Sequence, residues 1–437
     1  MSRLVNIAHL GSEHGFRLSL YAVAFTIPFP TIVNNIAIIV FSLVWLFTVR
    51  KDWRSFRNLT LLLSAFLPFY IWHALGIGYS DNTSAAVNLV LERGATFFIF
   101  PLILFTSRRE CFSLKGVLYA FTAGFLIILS ASIGEILLKI LLGGEPVSTL
   151  VTYYTRWNFT ENASLSYHTP YMGMHAVFAY AVLLVCFRAG TLAQMLLKIA
   201  LIGLLVLGIY LFGSKLPFLL LLIVSPVALA HQALGGKLSF SAINVCVAAL
   251  LLLSVAFIYL NREQLVQAIA QSTETESLYW GSLPNRLVKF LESGDQDRLD
   301  NWEAAYCAFS KQPLLGAGTG DGLASLQSCR LAASWNYIHE VNAHNQYLGI
   351  AVRSGIIGLL LLLAGFASCF RLSFLFRDKL YLLFLVSFTI ALVFENFLDR
   401  QKGVVFFTLI NAAFLSYYLV HDRYTKGKDK PGQEQYN

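Results

Sequence analysis

The chain of 437 residues is 57% hydrophobic and only 13% charged, with a formal net charge of +8 and a mean hydropathy of +0.64. So little polar surface cannot wrap a soluble globule of this size, which excludes a water-soluble enzyme and leaves an integral membrane protein. Alternating strands of about ten residues, the signature of a membrane barrel, are not found, so the fold class expected is all-α and polytopic.

A bilayer core takes about 20 apolar residues in a helix. In chain order such runs fall near 17–32, 33–49, 59–78, 88–106, 116–140, 171–187, 199–213, 216–233, 240–260, 345–368, 380–397 and 404–420, which gives about twelve spans. The first follows a polar stretch without a small-residue cleavage site and runs straight into the second, so it reads as an anchor and not a removable signal. Connectors on one side hold 19 Lys and Arg and the short connectors on the other hold five. The positive-inside rule then places both termini in the cytoplasm. This divides the chain into a nine-span part (1–260), one large exported loop (261–343), a three-span part (344–420) and a cytoplasmic tail (421–437).

The exported loop carries six basic and ten acidic side chains, so the net positive charge is a property of the cytoplasmic face and does not indicate nucleic-acid binding. Cys111, Cys186, Cys246 and Cys369 fall in or beside spans and read as small apolar residues. Cys307 and Cys329 share the loop, where an oxidising compartment allows them to pair; their separation in space is not legible from the sequence. A loop helix starting near Asp297 should present Leu299, Trp302, Ala305, Tyr306 and Phe309 on one face and stop at Pro313. The "GAGTGDG" that follows comes after a helix and lacks the Gly-Lys-Ser/Thr ending of a phosphate loop, so it reads as a turn closing the loop onto the membrane.

Ionisable residues gather at the outer ends of the spans: Glu92, Arg93, Arg156, His168, Lys215, His344, Glu395, Asp399, Arg400 and Lys402. Charges at membrane depth cost several kcal/mol unless paired or hydrated, so their concentration at one level suggests a wet cavity. Each alone has a plainer explanation. Lys215 or Lys402 could snorkel, Arg400 could pair with Asp399 or Glu395, and His344 could merely cap a helix.

From His344 the chain reads His344, Asn345, nine residues, Gly355, two residues, Gly358, placed where the large loop enters a late span. This arrangement resembles the O-antigen ligase and O-antigen polymerase superfamily, polytopic glycosyltransferases of the bacterial inner membrane. "RLDNWEAAYCAFSKQPLLGAGTG" is similar to the superfamily's Arg-x3-Trp helix followed by a Pro-Leu-x-Gly-x-Gly turn, and "ENFLDRQKGVVFF" to its penultimate connector. The likeness runs over roughly 200–430. It departs at Ser214-Lys215, where the superfamily commonly has Ser-Arg; lysine keeps the charge and loses the bidentate fork suited to phosphate.

The resemblance implies a GT-C-like membrane fold and an undecaprenyl pyrophosphate-linked glycan as donor. It further implies transfer to an acceptor hydroxyl, lipid A-core for a ligase, at the periplasmic face. Polymerisation of the lipid-linked chain and glycosylation of protein are the alternatives within the superfamily, and a transporter of lipid-linked glycan is the alternative from another class. An ordinary histidine titrates near 6.5, so His344 is the candidate general base. Arg400, Arg298 and Lys215, then Arg93 and Arg156, are candidates for the departing pyrophosphate, with Glu395, Asp399 and Asn345 orienting. His339 and His344 are out of phase on a helix and no H-E-x-x-H or Asp-x-Asp occurs, so neither a metal nor a cofactor is expected.

Counting 100° per residue from His344 puts Leu348, Ala351, Gly355 and Gly358 on its stripe, where the glycines would admit a neighbouring helix. The same count points Arg353 to the opposite side, out of the site.

Overall fold

The computed structural model describes residues 2–49, 51–53, 56, 58–107, 112–144, 169–234, 296–333 and 342–425, and among these every regular element is helical. The expected span at 240–260, most of the exported loop, Arg156 and the end of the tail lie outside the described residues. Among the described residues six stretches are long and apolar enough to cross a membrane: Thr31–Thr48, Thr83–Thr106, Leu114–Gly143, Thr169–Cys186, Leu192–Leu211 and Gln346–Leu375. The helices at Lys215–Pro226 and Lys379–Phe394 are apolar but shorter. The chain divides into two compact units, 1–121 with 297–437, and 122–296.

In the first unit α1 (Ser2–Thr26) ends before Pro28 and Pro30, and α2 (Thr31–Thr48) returns beside it. Proline lacks the N–H that a continuing helix needs, which forces the turn. Phe16 packs on Phe41 with ring centroids 5.2 Å apart, and Asn34 Nδ2 donates to Val23 O at 3.1 Å.

The expected span at 59–78 is broken. α3 (Leu59–Ser64) and α4 (Leu67–Leu75) meet at Phe66, whose φ of 60° interrupts the helix. A break in apolar surroundings frees backbone groups that water cannot reach. Asn411 Nδ2 (2.9 Å) and Cys369 Sγ (3.1 Å) both donate to Ser64 O. The Phe66 ring then seats against Gly365, Phe366 and Phe407. The next run is likewise composite: α5 (Thr83–Val87), a π-turn over Asn88–Arg93, and α6 (Thr96–Thr106). α7 follows over Leu114–Gly143.

In the second unit α8 (Thr169–Cys186) is buried along almost its whole length, flanked by α9 (Leu192–Leu211) and α10 (Lys215–Leu234). Tyr180 and Ser225 hydroxyls lie 2.9 Å apart. Lys198 Nζ donates to Phe187 O at 2.7 Å and Leu184 O at 3.3 Å, supplying partners to carbonyls that the end of α8 leaves open.

Back in the first unit, α11 (Gln296–Lys311) and α12 (Gly322–Ala332) are joined by the disulfide Cys307–Cys329. The face expected of α11 is corrected in part: Ala305 is buried and Phe309 packs on the core as expected, but Leu299 and Tyr306 face outward. Leu299 is 53% and Tyr306 67% exposed, whereas Asn301, Ala304, Ala305 and Ala308 are buried. Small side chains let α11 lie close to Leu326, Cys329, Ala343 and Val352. The buried Arg330 spans the layer by donating to Asn301 Oδ1 at 2.5 Å and Asn342 O at 3.4 Å. Hydrophobicity alone favoured Leu299 and Tyr306, but the tight packing distance selected alanine.

Three helices complete the unit: α13 (Gln346–Leu375), α14 (Lys379–Phe394) and α15 (Gln401–Thr425). α13 packs on α3, α4 and α14, and α15 on α6, where Thr408 Oγ1 donates to Thr96 Oγ1 at 3.1 Å and Ser416 Oγ to Leu104 O at 3.0 Å.

Candidate active site

His344 stands just before α13, not on it. Its φ is 47°, a left-handed value uncommon outside glycine and informative where surrounding contacts enforce it. Those contacts are visible on both sides. Its own N–H donates to Asn342 Oδ1 at 3.0 Å, and the next N–H, from Asn345, donates to Asn396 Oδ1 at 3.0 Å. Asn345 is the N-cap, its Oδ1 accepting the Leu348 N–H at 3.1 Å. The sequence assigned Asn345 an orienting role; the structure gives it the cap that starts the helix.

The imidazole is 29% exposed, with Nδ1 3.5 Å from Glu395 Oε1 and no closer partner. That separation is an ion-pair contact and too long for a good hydrogen bond. Glu395 is the C-cap of α14, buried, with Oε1 also accepting the Asn396 N–H at 3.1 Å.

Asp399 closes the short 3-10 turn Phe397–Asp399 and is the hub of the connector. Its Oδ1 accepts from Arg353 Nη2 at 2.5 Å and Gln346 Nε2 at 2.8 Å, and its Oδ2 from Asn396 Nδ2 at 3.0 Å. Gln346 Oε1 in turn accepts the Leu398 N–H at 2.7 Å. Burial pushes the Asp399 carboxyl upward, yet the Arg353 charge and hydrogen bond, with those from Gln346 and Asn396, outweigh it and hold the group below the ordinary carboxylate range.

Arg353 therefore belongs to the site's framework, contrary to the helical count. The count began at His344, which has left-handed backbone. Counted from Gln346, the first helical residue, Gly349 and Arg353 fall on the same stripe, and Arg353 Nε reaches Gly349 O at 3.2 Å.

Gly355 acts differently from expectation as well. Gly355 has φ 64° and ψ −169°, splitting α13 in two. It admits a backbone turn and not a helix: Ile356 N donates to Pro313 O at 2.8 Å, Ala317 N to Val352 O at 2.8 Å, and Gly318 N to Arg353 O at 3.1 Å. Trp72 Nε1 donates to Ser354 O at 3.0 Å, so the carbonyls of Val352, Arg353 and Ser354 before the break each find a donor. The "GAGTGDG" segment is this turn. Its far side is pinned by Thr319 Oγ1 to His73 O at 2.7 Å and by Asp321, whose carboxylate accepts the N–H groups of Asp81 and Asn82 at 2.8 Å each. Gly358 lies beside Trp72 of α4, where an added Cβ would come within 3.2 Å of the indole ring.

One of the expected cations bonds to the connector and a second lies by the end of α14 that leads into it. Arg93 Nη1 donates to Asp399 O at 3.1 Å, and the Arg298 guanidinium lies 5.7 Å from the centre of the Phe394 ring. Arg400 follows the hub directly and is exposed. Lys215 starts α10 in the other unit, and Arg156 is outside the described residues. The residues missed by the sequence are Gln346, Arg353 and Asn396. A helical count restarted after the Asn345 cap would have raised Gln346 and Arg353; nothing local marks Asn396.

An all-helical membrane protein with an ionisable site at the start of a late, broken helix is the class that fold and site define. Residues 169–363 match the family model for O-antigen ligase, which supports the O-antigen ligase superfamily for this chain and with it a membrane glycosyltransferase of the ligase or polymerase type. The matched segment contains Lys215, Arg298, His344, Gly355 and Gly358; Arg93, Glu395, Asp399 and Arg400 lie outside it. No curated protein matches the chain.

Proposed function

We propose that the protein is an O-antigen ligase, transferring glycan from undecaprenyl pyrophosphate to a hydroxyl of lipid A-core at the periplasmic face of the bacterial inner membrane. The observation that carries this reading is His344, held in a left-handed turn within the matched segment, partly open and facing the buried Glu395 across 3.5 Å. Glu395 favours the tautomer with the proton on Nδ1, leaving the Nε2 lone pair for the acceptor.

In the proposed step Nε2 takes the proton of the acceptor hydroxyl as its oxygen bonds to the anomeric carbon. The bond from that carbon to the pyrophosphate oxygen breaks, and undecaprenyl pyrophosphate leaves with the electron pair. Guanidinium groups at the rim, Arg298, Arg400 and Arg93, answer the charge that develops on the leaving group, and no metal ion or cofactor is invoked. Lys215 and Arg156 are further candidates for the same task. The cysteine pair of α11 and α12 supports export of this region, since disulfides persist in oxidising compartments.

His344→Ala, introduced into a strain deleted for the gene, tests the reading. The variant should insert at wild-type level and leave surface polysaccharide unattached on a gel. Full attachment by that variant overturns the base assignment. In the deletion strain, single repeat units on the core would make the protein a polymerase, and unchanged lipopolysaccharide with altered glycoprotein would make it a protein glycosyltransferase.

A further inference from the structure

We propose that Arg353 is a positioning residue: acting through Asp399 and Asn396, it holds the 395–399 connector against the start of α13 and so sets the His344–Glu395 pair. The inference rests on the glycosyl-transfer reading and extends it to residues that the helical count had excluded.

A carboxamide presents an acceptor on one side and donors on the other. Asn396 gives Nδ2 to Asp399 Oδ2 at 3.0 Å, which turns its Oδ1 toward Asn345 N at 3.0 Å. Reversing that amide would set its oxygen against a carboxylate and its NH2 against a backbone N–H, so the Asp399 charge dictates the orientation. The same logic applies to Gln346, whose Nε2 goes to Asp399 at 2.8 Å and whose Oε1 takes the Leu398 N–H at 2.7 Å. Two amides, oriented by one carboxylate, thus clasp the helix start to the connector.

Asp399 is largely enclosed, its side chain 13% exposed, and a carboxylate so placed keeps its charge most readily beside a compensating cation. Arg353 is that cation, bonded at 2.5 Å, whereas Arg93 reaches only the Asp399 backbone oxygen. The clasp ends on the peptide between His344 and Asn345, and Glu395 immediately precedes Asn396. Loosening the clasp therefore moves the base and its partner together. Arg353 itself is 9% exposed at the side chain, too enclosed to meet a pyrophosphate, which separates its role from that of the rim arginines.

The test uses full-length protein in nanodiscs with an undecaprenyl pyrophosphate-linked oligosaccharide as donor and lipid A-core as acceptor. Rates are normalised to protein that elutes as a folded monodisperse species. Arg353→Met should lower kcat about 10²-fold, the loss that a displacement of about 1 Å at a reacting group causes. The KM for donor should stay within about twofold, because uniform binding is untouched. Arg353→Lys should recover part of kcat, since charge is restored without the fork. Asn396→Leu, which keeps the Arg353–Asp399 pair and removes the half of the clasp that ends on the His344–Asn345 peptide, should also lower kcat and carries the test if Arg353→Met is not recovered folded.

Wild-type kcat in the folded variants overturns the proposal. So does a raised donor KM at unchanged kcat, which would make Arg353 a ligand. His344→Ala is run alongside: full activity in that variant sinks the glycosyl-transfer reading itself, a result distinct from failure of the Arg353 role.

Discussion

Replacing Gly355 by alanine tests whether the docking of the Pro313–Gly318 turn into the broken helix organises the site. With φ 64° and ψ −169°, Gly355 occupies backbone space essentially closed to other residues, and forcing alanine into it costs about 1–3 kcal/mol. The added methyl would collide with Leu314 O and lie 2.7 Å from Gly316 N, both backbone atoms that no rotamer change can move. The turn must retreat, which breaks bonds such as Ile356 N to Pro313 O and Ala317 N to Val352 O. Each buried polar group left unpaired costs about 1–3 kcal/mol. Two lost bonds plus the backbone strain give a deficit of at least about 3 kcal/mol, or roughly 3 °C or more in Tm at about 1 °C per kcal/mol for a chain of this length. The assay is thermal unfolding of purified protein, with tryptic cleavage after the exposed Lys311 as a local readout of the freed turn. Gly78→Ala, where a Cβ meets nothing within 4 Å, is the control. If Gly355→Ala melts and is cleaved like Gly78→Ala, the docking argument is wrong.

The Cys307–Cys329 bond closes a separation of 22 residues, and chain entropy alone assigns such a loop about 3 kcal/mol. Cys307→Ser should lower Tm accordingly, and non-reducing peptide mapping of the wild type should recover the cross-linked pair while buried Cys186 and Cys369 resist thiol reagents until unfolding. Asp399 supplies a pH dependence. Its folded pKa is depressed, so its stabilising contribution is complete above the unfolded value of about 3.9 and is lost as pH falls through the lower folded value. Wild-type Tm should therefore drop as pH falls below about 4 more steeply than that of Asp399→Asn; equal slopes would contradict the Arg353–Asp399 coupling.

How far the sequence alone reached depended on whether a feature is local. Hydropathy located α2, α7, α8 and α9 closely, because a bilayer-length apolar run needs no partner to be recognised. The spacing from His344 to Gly358 likewise singled out the start of α13. Tertiary structure decided what periodicity could not carry. Left-handed backbone at His344, and again at Gly355, resets the phase of a helix, so a single count placed Arg353 on the wrong side. Arg353 and Asp399 are 46 residues apart in the chain and Asn345 and Asn396 are 51 apart, and no local pattern signals such pairs. The inward face of α11 was decided by how close α12 lies, which favours Ala304, Ala305 and Ala308 over the larger Leu299 and Tyr306. Whether Cys307 could reach Cys329 was, for the same reason, a matter of distance, and only the packed pair of helices supplies one.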